Sequence, residues 1–441
     1  MTVRIRFCVT TLVSVLFLSI SASFLSAQEY SKKQELAVFR LGYYSWQIPT
    51  AALGAIDDSI RGVFVNLGRF TVIGYAKSLE ARDVDDFIDA LRKYKEANAE
   101  LPKEVQLGRE AFTQADLTKL TSSFIVVIPS VSFYNLSLSN RGEFTANLET
   151  SFSFVNVKDL TTIGQFTIET SGSSLYAREA VKSAIDGIPL QLSYKVRSMP
   201  VFQIKTGILE LTGGDAIIEF GRNMGVKPGD EFAVVTPTII AGHQVDETSG
   251  MLVVKDVRES FSIAHPLYTD RPMYVGDQLK EIPRFGVELD FYSDLIFAQS
   301  NYVGAPSVGY YPLFGIRATV SRGVYRARPT FEMELPLHQA LSGGVPANLY
   351  VGLETFNLYM GRFQIAPVVL AGLGGNYFEN DFYLSHVGGK AQLNLSLLVT
   401  RDLKLSIEAG YIAMVGLRDN PRPWDASYWG PFGGVGFTAK F

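Results

Sequence analysis

The sequence predicts a multidomain fold: an α/β (α+β) domain, then a small β-barrel module, then a carboxy-terminal antiparallel barrel of eight strands that cross a membrane. Three observations predict it. The amino terminus places Arg4 and Arg6 ahead of an apolar run that begins at Phe7. From Phe285 to Phe441 apolar and polar residues alternate every second position. Between these ends, mixed helix and strand periodicities give way to strands alone near Met199. A chain of 441 residues has room for roughly three domains at about 100 to 200 residues each.

The apolar run reaches Leu25 and ends in Ser26-Ala27 before Gln28, the layout of a secretory signal peptide cut near Ala27. The alternative is a retained anchor helix, which the Ser and Thr residues inside the run argue against. Cys8 is the only cysteine and lacks the small-residue context of a lipoprotein cleavage site. Cleavage therefore leaves no disulfide, no cysteine metal site and no cysteine nucleophile. It also takes two arginines from 40 basic residues and nothing from 44 acidic ones, giving a net charge of −6. That balance carries no footprint for nucleic acid. Beyond the leader no run of about 18 apolar residues offers a second membrane helix.

Residues 28–198 read as the α/β domain. Leu36-Ala37-Val38-Phe39 and Phe70-Thr71-Val72-Ile73 are short strands, and Ile48, Ala52, Ile56 and Ile60 between them lie near helical spacing. Val84, Phe87, Ile88, Leu91 and Tyr94 form a helical stripe, with Asp83 as the expected cap and Arg92, Lys93 and Lys95 at its basic end. A short helix begins at Thr113 to Asp116, and Phe124 to Ile128 is a buried strand. Residues 143–157 and 162–170 alternate as longer strands, and Tyr176, Ala180, Ala184 and Ile185 mark the last main helix. Residues 199–282 read as the small β module. In it Pro228 presets one turn dihedral and Gly229 accepts a positive one ahead of Phe232 and Val234. Glu281-Ile282-Pro283-Arg284 is expected to be a short tether to the barrel.

Residues 283–441 read as the barrel. Alternating segments fall near 285–297, 312–321, 324–336, 348–360, 363–377, 386–399, 403–415 and 430–441. Leu403, Leu405, Ile407, Ala409, Tyr411, Ala413 and Val415 set one lipid-facing row against Lys404, Ser406, Glu408 and Gly410. An even strand count with short periplasmic turns and long outer loops is the bacterial pattern. Short turns fall at Arg322-Gly323, Gly361-Arg362 and Arg401-Asp402; long loops are expected at 300–311, 339–347, 376–385 and 417–428. A soluble sheet with one wet face also alternates, but it gives no reason for charges of both signs on the polar rows. Glu288, Asp290, Arg317, Arg326, Arg328, Glu332, Glu334, Glu354, Lys390 and Glu408 would meet inside a barrel too narrow for a wide channel. They are expected to pair as an ionic plug, since an unpaired buried charge is costly. The alternative for any one of them is hydration by interior water.

The final strand reads Phe432-Gly433-Gly434-Val435-Gly436-Phe437-Thr438-Ala439-Lys440-Phe441. Here the sequence resembles the eight-stranded outer-membrane barrels of the outer-membrane protein A type. The resemblance implies that Val435, Phe437, Ala439 and Phe441 form the signal read by the barrel-assembly machinery. It also implies the outer membrane of a Gram-negative-type bacterium, with residues 28–282 in the periplasm. The order of elements around Gly68-Arg69-Phe70-Thr71-Val72-Ile73 resembles α/β domains of the curli-secretion lipoprotein, the Tol-Pal translocation protein and the flagellar H-ring protein. The Pro228-Gly229-Asp230 phrase is similar to the small β-barrel of that last protein. These likenesses imply a scaffold that binds a periplasmic protein or self-associates.

Motifs for catalysis point elsewhere. The sequence contains no Gly-Lys-Ser/Thr phosphate loop and no Gly-x-Ser-x-Gly elbow. Lys205-Thr206-Gly207 lacks the Ser-x-x-Lys partner of the penicillin-binding enzymes. His243 with Asp246 and Glu247 reads as a solvated loop rather than a metal site, and His338 and His386 as packing residues near outer strand ends. Tyr383, Trp424, Tyr428 and Trp429 fit an aromatic belt. The expectation is a non-enzymatic outer-membrane protein without cofactor or metal, in contact with outer-membrane lipid. A small pore or transporter component, or an adhesin acting through outer loops, is the alternative.

Overall fold

The computed structural model describes residues 30–43, 48–96, 104–107, 110–121, 125–241, 243–302, 305–337, 345–378, 381–417 and 426–441. The leader, Phe124, His338 and Trp424 lie outside them.

The first sheet grows from a run in which neighbouring residues point to opposite faces yet all are apolar. In β1 (Gln34–Arg40), Leu36 and Val38 face one side and Ala37 and Phe39 the other, and all four are buried. Such a strand needs cover on both faces. β1 pairs in parallel with β3 (Phe70–Ser78) and β6 (Ile125–Leu138), and β2 (Gly42–Tyr43) also lies parallel to β6. β7 (Phe144–Asn156) and β8 (Thr161–Ser174) continue antiparallel, giving the order β3-β1-β6-β7-β8. α1 (Thr50–Asn66) buries Ala52, Ile56, Ile60, Val63 and Phe64 against one face. α2 (Val84–Glu96) covers the other face, with the hairpin β4 (Glu104–Leu107) and β5 (Glu110–Thr113) and helix α3 (Gln114–Thr121). Thr113 and Asp116 cap α3 reciprocally: each backbone N–H donates to the other's side chain, at 2.9 and 3.2 Å.

Two local details add to the sequence reading. Asp83, the residue before α2, also ends a 3₁₀ turn (Ala81–Asp83), and its carboxylate accepts from the Glu80 N–H. After α4 (Ala177–Asp186) a further helix, α5 (Ile188–Ser198), starts at once. Pro189 lies in its first turn, where proline is tolerated because its missing N–H has no partner to lose. Ile188, Leu192 and Val196, four residues apart, press α5 onto the α1 side of the core.

The module after Met199 closes on itself. β9 (Lys205–Thr212), β10 (Asp215–Glu219), β11 (Glu231–Ile240), β12 (His243–Val257), β13 (Phe261–Thr269) and β14 (Gln278–Ile282) form a barrel in the order β10-β13-β12-β11-β14-β9. Its interior is filled by Ile208, Ile218, Phe232, Val234, Leu252, Val254 and Leu279. β11 and β12 run beyond the barrel as a hairpin paired as far as Ile240 and His243. His243, Asp246 and Glu247 therefore lie on a strand and not in a loop. Among the described residues no group of three His, Cys, Asp or Glu could hold a metal ion.

The last barrel comprises β15 (Val287–Tyr302), β16 (Ala305–Val320), β17 (Ala327–Pro336), β18 (Val345–Thr355), β20 (Phe363–Phe378), β21 (Asp381–Leu398), β22 (Leu403–Gly416) and β23 (Tyr428–Lys440). Adjacent strands are antiparallel, and β15 with β23 and β18 with β20 complete the ring. A short strand, β19 (Leu358–Met360), pairs with the start of β20. Two expected outer loops are ladders instead: pairing continues to Tyr302 with Ala305 and to Phe378 with Asp381. The Gly, Pro and Asn content of these stretches suggested loops, but Val308, Tyr310 and Tyr377 continue the exposed rows of their strands. Residues 338–344 and 418–425, most of the other two expected loops, lie outside the described residues.

Candidate functional site

The alternation sorts side chains to opposite sides of the barrel wall. Phe331, Met333 and Leu335 on β17, Val351 and Leu353 on β18, and Leu405 and Ile407 on β22 point outward and are exposed. Their neighbours Glu332, Glu334 and Glu408 are buried inside. A water-facing protein would have the reverse; this arrangement suits hydrocarbon outside. Val435, Phe437, Ala439 and Phe441 lie on the outward face of the final strand and its end, with Val435, Phe437 and Phe441 exposed.

The interior charges stack in two layers. In the lower one, Arg328 donates from Nε to Glu354 at 2.8 Å and from Nη1 to Glu288 at 3.1 Å. Lys404 donates to Glu288 and Gln364, both at 2.8 Å. In the upper layer, Arg317 reaches Glu332 at 2.5 Å, Glu408 at 2.9 Å and Asp290 at 3.5 Å. Lys390 spends its three donors on Glu334 at 2.7 Å, Glu332 at 3.1 Å and Asp294 at 3.2 Å. The Lys390 ammonium also sits 4.8 Å from the Tyr292 ring and 4.4 Å from the Phe432 ring. Above these layers Ile296, Leu313, Tyr350, Leu370, Ile412, Met414 and Tyr428 fill the bore with apolar bulk. His386 is buried beyond them, bonded to Ser385 and the Ala426 carbonyl.

Nine of the ten charges expected inside are therefore in the interior network; Arg326 is the exception. It precedes the first residue of β17 and is exposed, because the two-residue rule that sends Arg328 inward does not extend into the turn before the strand. Asp294 and Lys404 belong to the network and were not singled out. Asp294 shares the parity of Glu288 and Asp290, and Lys404 that of Glu408, so the signal was present.

The mouth opposite the long hairpins is capped. Leu398, Tyr325 and Tyr359 of the membrane barrel pack with Ala233, Val235, Met251, Val253 and Leu267 of the small barrel. Lys440 pairs with Glu231 across the same joint. The gap left among Leu267, Gln364, Ser396 and Lys404 measures about 10 Å³, no more than one water.

Beside this cap a buried ionic junction ties all three modules. Glu281 on β14 accepts from Arg69, the residue before β3, at 2.7 Å and from Arg197 of α5 at 2.7 Å, and also from the Ile204 N–H at 3.0 Å. Arg197 extends to Asp230 at 3.0 Å, and Arg322 in the β16–β17 turn reaches the same carboxylate at 2.6 Å. Arg284 binds Glu231 at 2.9 Å and Asp402 in the β21–β22 turn at 2.5 Å. Burial alone would raise the Glu281 carboxyl, but Arg69 and Arg197 overcome it and hold the group well below the usual carboxylate range. The segment expected to be a tether is thus the hub of the junction.

No protein-family model matches the chain, and no curated protein matches it. Among solved structures, similarity is found to Neisserial surface protein A, at 11% identity over 35% of this chain and 97% of that one, with a TM-score of 0.25. The amino-terminal β-barrel domain of Pseudomonas aeruginosa OprF matches at 14% identity over 34% and 96%, TM-score 0.23. The PelC dodecamer from Paraburkholderia phytofirmans matches at 12% identity over 38% and 92%, TM-score 0.23. By its strand count, closure and sidedness the carboxy-terminal third is an eight-stranded, closed, antiparallel barrel with an apolar exterior and a charged interior, the arrangement of a membrane-spanning barrel.

Proposed function

We propose that this chain is a non-enzymatic scaffold of the bacterial outer membrane, whose barrel is a sealed anchor holding residues 28–282 at the periplasmic face. In this reading residues 1–27 are removed on export, and the barrel-assembly machinery inserts the barrel. The α/β domain and small barrel then offer a fixed surface to a periplasmic protein or to a second copy of the chain. The observation that carries the reading is the closure of the bore by charge pairs, apolar bulk and the small-barrel cap together. A conduit would have no use for three successive obstructions, whereas an anchor gains rigidity from each.

Reconstitution of the full chain in planar bilayers tests this. The expected result is no conductance above leakage; discrete channels would favour a pore. Protease added to intact cells should cut only outer hairpins and loops, and cleavage within residues 28–282 would reject the periplasmic placement.

A further inference from the structure

The β11–β12 hairpin extends past the small barrel with a greasy tip that the fold leaves uncovered. Its register sets Val235 opposite Thr248, Pro237 opposite Asp246 and Ile239 opposite Gln244. Directly opposed residues share one face of an antiparallel pair, so Val235, Pro237 and Ile239 all look the same way. That direction is fixed at the base: Val235, Asp246 and Thr248 line a cleft of about 530 Å³ together with Arg401, Asp402 and Phe441 of the membrane barrel's rim. Ile239 lies four residues further out on this rim-facing side and is 76% exposed. Outward side chains nearest the rim, Val399, Leu405 and Phe441, are exposed as well, and they belong to the face that hydrocarbon covers.

We propose that the hairpin rests on the periplasmic leaflet of the bilayer, with Ile239 and Pro237 seated in phospholipid at the level of the upper acyl chains. Exposed apolar side chains beside a lipid-facing surface, across a cleft whose Asp246 is paired with Lys280 at 3.1 Å, are stabilised by the same transfer from water that holds the barrel. Arg401 stands on the lip of the cleft with its side chain 62% exposed; its Nε is bonded to Asp402 at 3.1 Å, and its other guanidinium donors are placed to meet a lipid phosphate. The hairpin thus acts as an outrigger, giving the small barrel a second hold on the membrane. This inference rests on the membrane reading of the barrel.

The test uses the full chain carrying Cys8→Ser and one new cysteine, labelled with an environment-sensitive fluorophore. The labelled protein is folded into phosphatidylethanolamine and phosphatidylglycerol vesicles with or without doxyl-labelled lipid. Ile239→Cys is expected to lose emission to the doxyl quencher as does Val369→Cys on the outer face of β20. Val245→Cys, on the opposite face of the hairpin, is expected to keep its emission. Quenching at Val369→Cys but not at Ile239→Cys overturns the outrigger, and equal quenching at positions 239 and 245 overturns the face assigned to it. Absence of quenching at Val369→Cys rejects the membrane reading itself.

Discussion

Arg197 and Glu281 meet at 2.7 Å with each side chain only 1% exposed, joining the last helix of the α/β domain to the last strand of the small barrel. Glu281 answers Arg69 on its other side, so one carboxylate bridges two buried guanidinium groups, and Asp230 brings Arg197 a second carboxylate. Removing one partner of a buried pair leaves an uncompensated charge and costs about 3 to 5 kcal/mol. Glu281→Gln should therefore lower the stability of the joined soluble modules by that order, seen as an earlier chemical unfolding midpoint in the detergent-solubilised full chain. An unchanged midpoint would mean that water reaches this junction.

The same carboxylate predicts an acid-sensitive joint. Its folded pKa lies below the unfolded value of 4.5, because Arg69 and Arg197 outweigh the opposing effect of burial. A depressed carboxyl contributes stability that is complete above the unfolded pKa and fades as pH falls toward the folded one. Unfolding midpoints should hence be level above that value and drop below it. In Glu281→Gln the part of the drop due to this group should vanish, which a pH series on both proteins would reveal.

Parity explains what could be read from the sequence. A strand repeats every two residues, so Glu288, Asp290 and Asp294 had to share a side of β15, as did Glu332 and Glu334 of β17. The rule needs no partner and survives over the whole barrel. Arg326 escaped it because only residues within the ladder obey it. The junction was illegible for a different reason. Arg69 and Glu281 are 212 positions apart and Arg197 and Asp230 are 33 apart, and no local period relates them. Only the docking of separately folded units brings such charges together, so Glu281 and Arg284 looked like tether residues.

Gly229 was recognisable as a turn residue, and the fold adds a second demand on it. Its φ is +82°, and a β-carbon there would overlap the carbonyl oxygen of Ser321 in the β16–β17 turn. The neighbouring Gly323 N–H donates to the Pro228 carbonyl at 2.7 Å. Gly229→Ala should cost about 1 to 3 kcal/mol in backbone strain and also push the small barrel off the rim. Limited proteolysis of the solubilised protein should then cut near Pro283 to Gly286, while the membrane barrel keeps its heat-modifiable gel mobility. Resistance equal to the parent protein would show that the turn yields without undocking.

Arg326 and Arg328 stand two residues apart and should respond very differently to removal. Arg328 is buried and bridges Glu288 and Glu354; its loss leaves those two carboxylates with Lys404, whose ammonium reaches Glu288 alone. Arg328→Ala should destabilise the barrel by about 3 to 5 kcal/mol, the range for breaking a buried pair. Arg326 is exposed and outside the ladder, so Arg326→Ala should change stability by no more than about 0.5 kcal/mol. Urea unfolding followed by the shift between folded and heat-denatured gel mobility measures both. Equal effects of the two substitutions would mean that the lower ionic layer contributes nothing particular to the barrel, and that the pairing of Arg328 with Glu354 is replaceable by water.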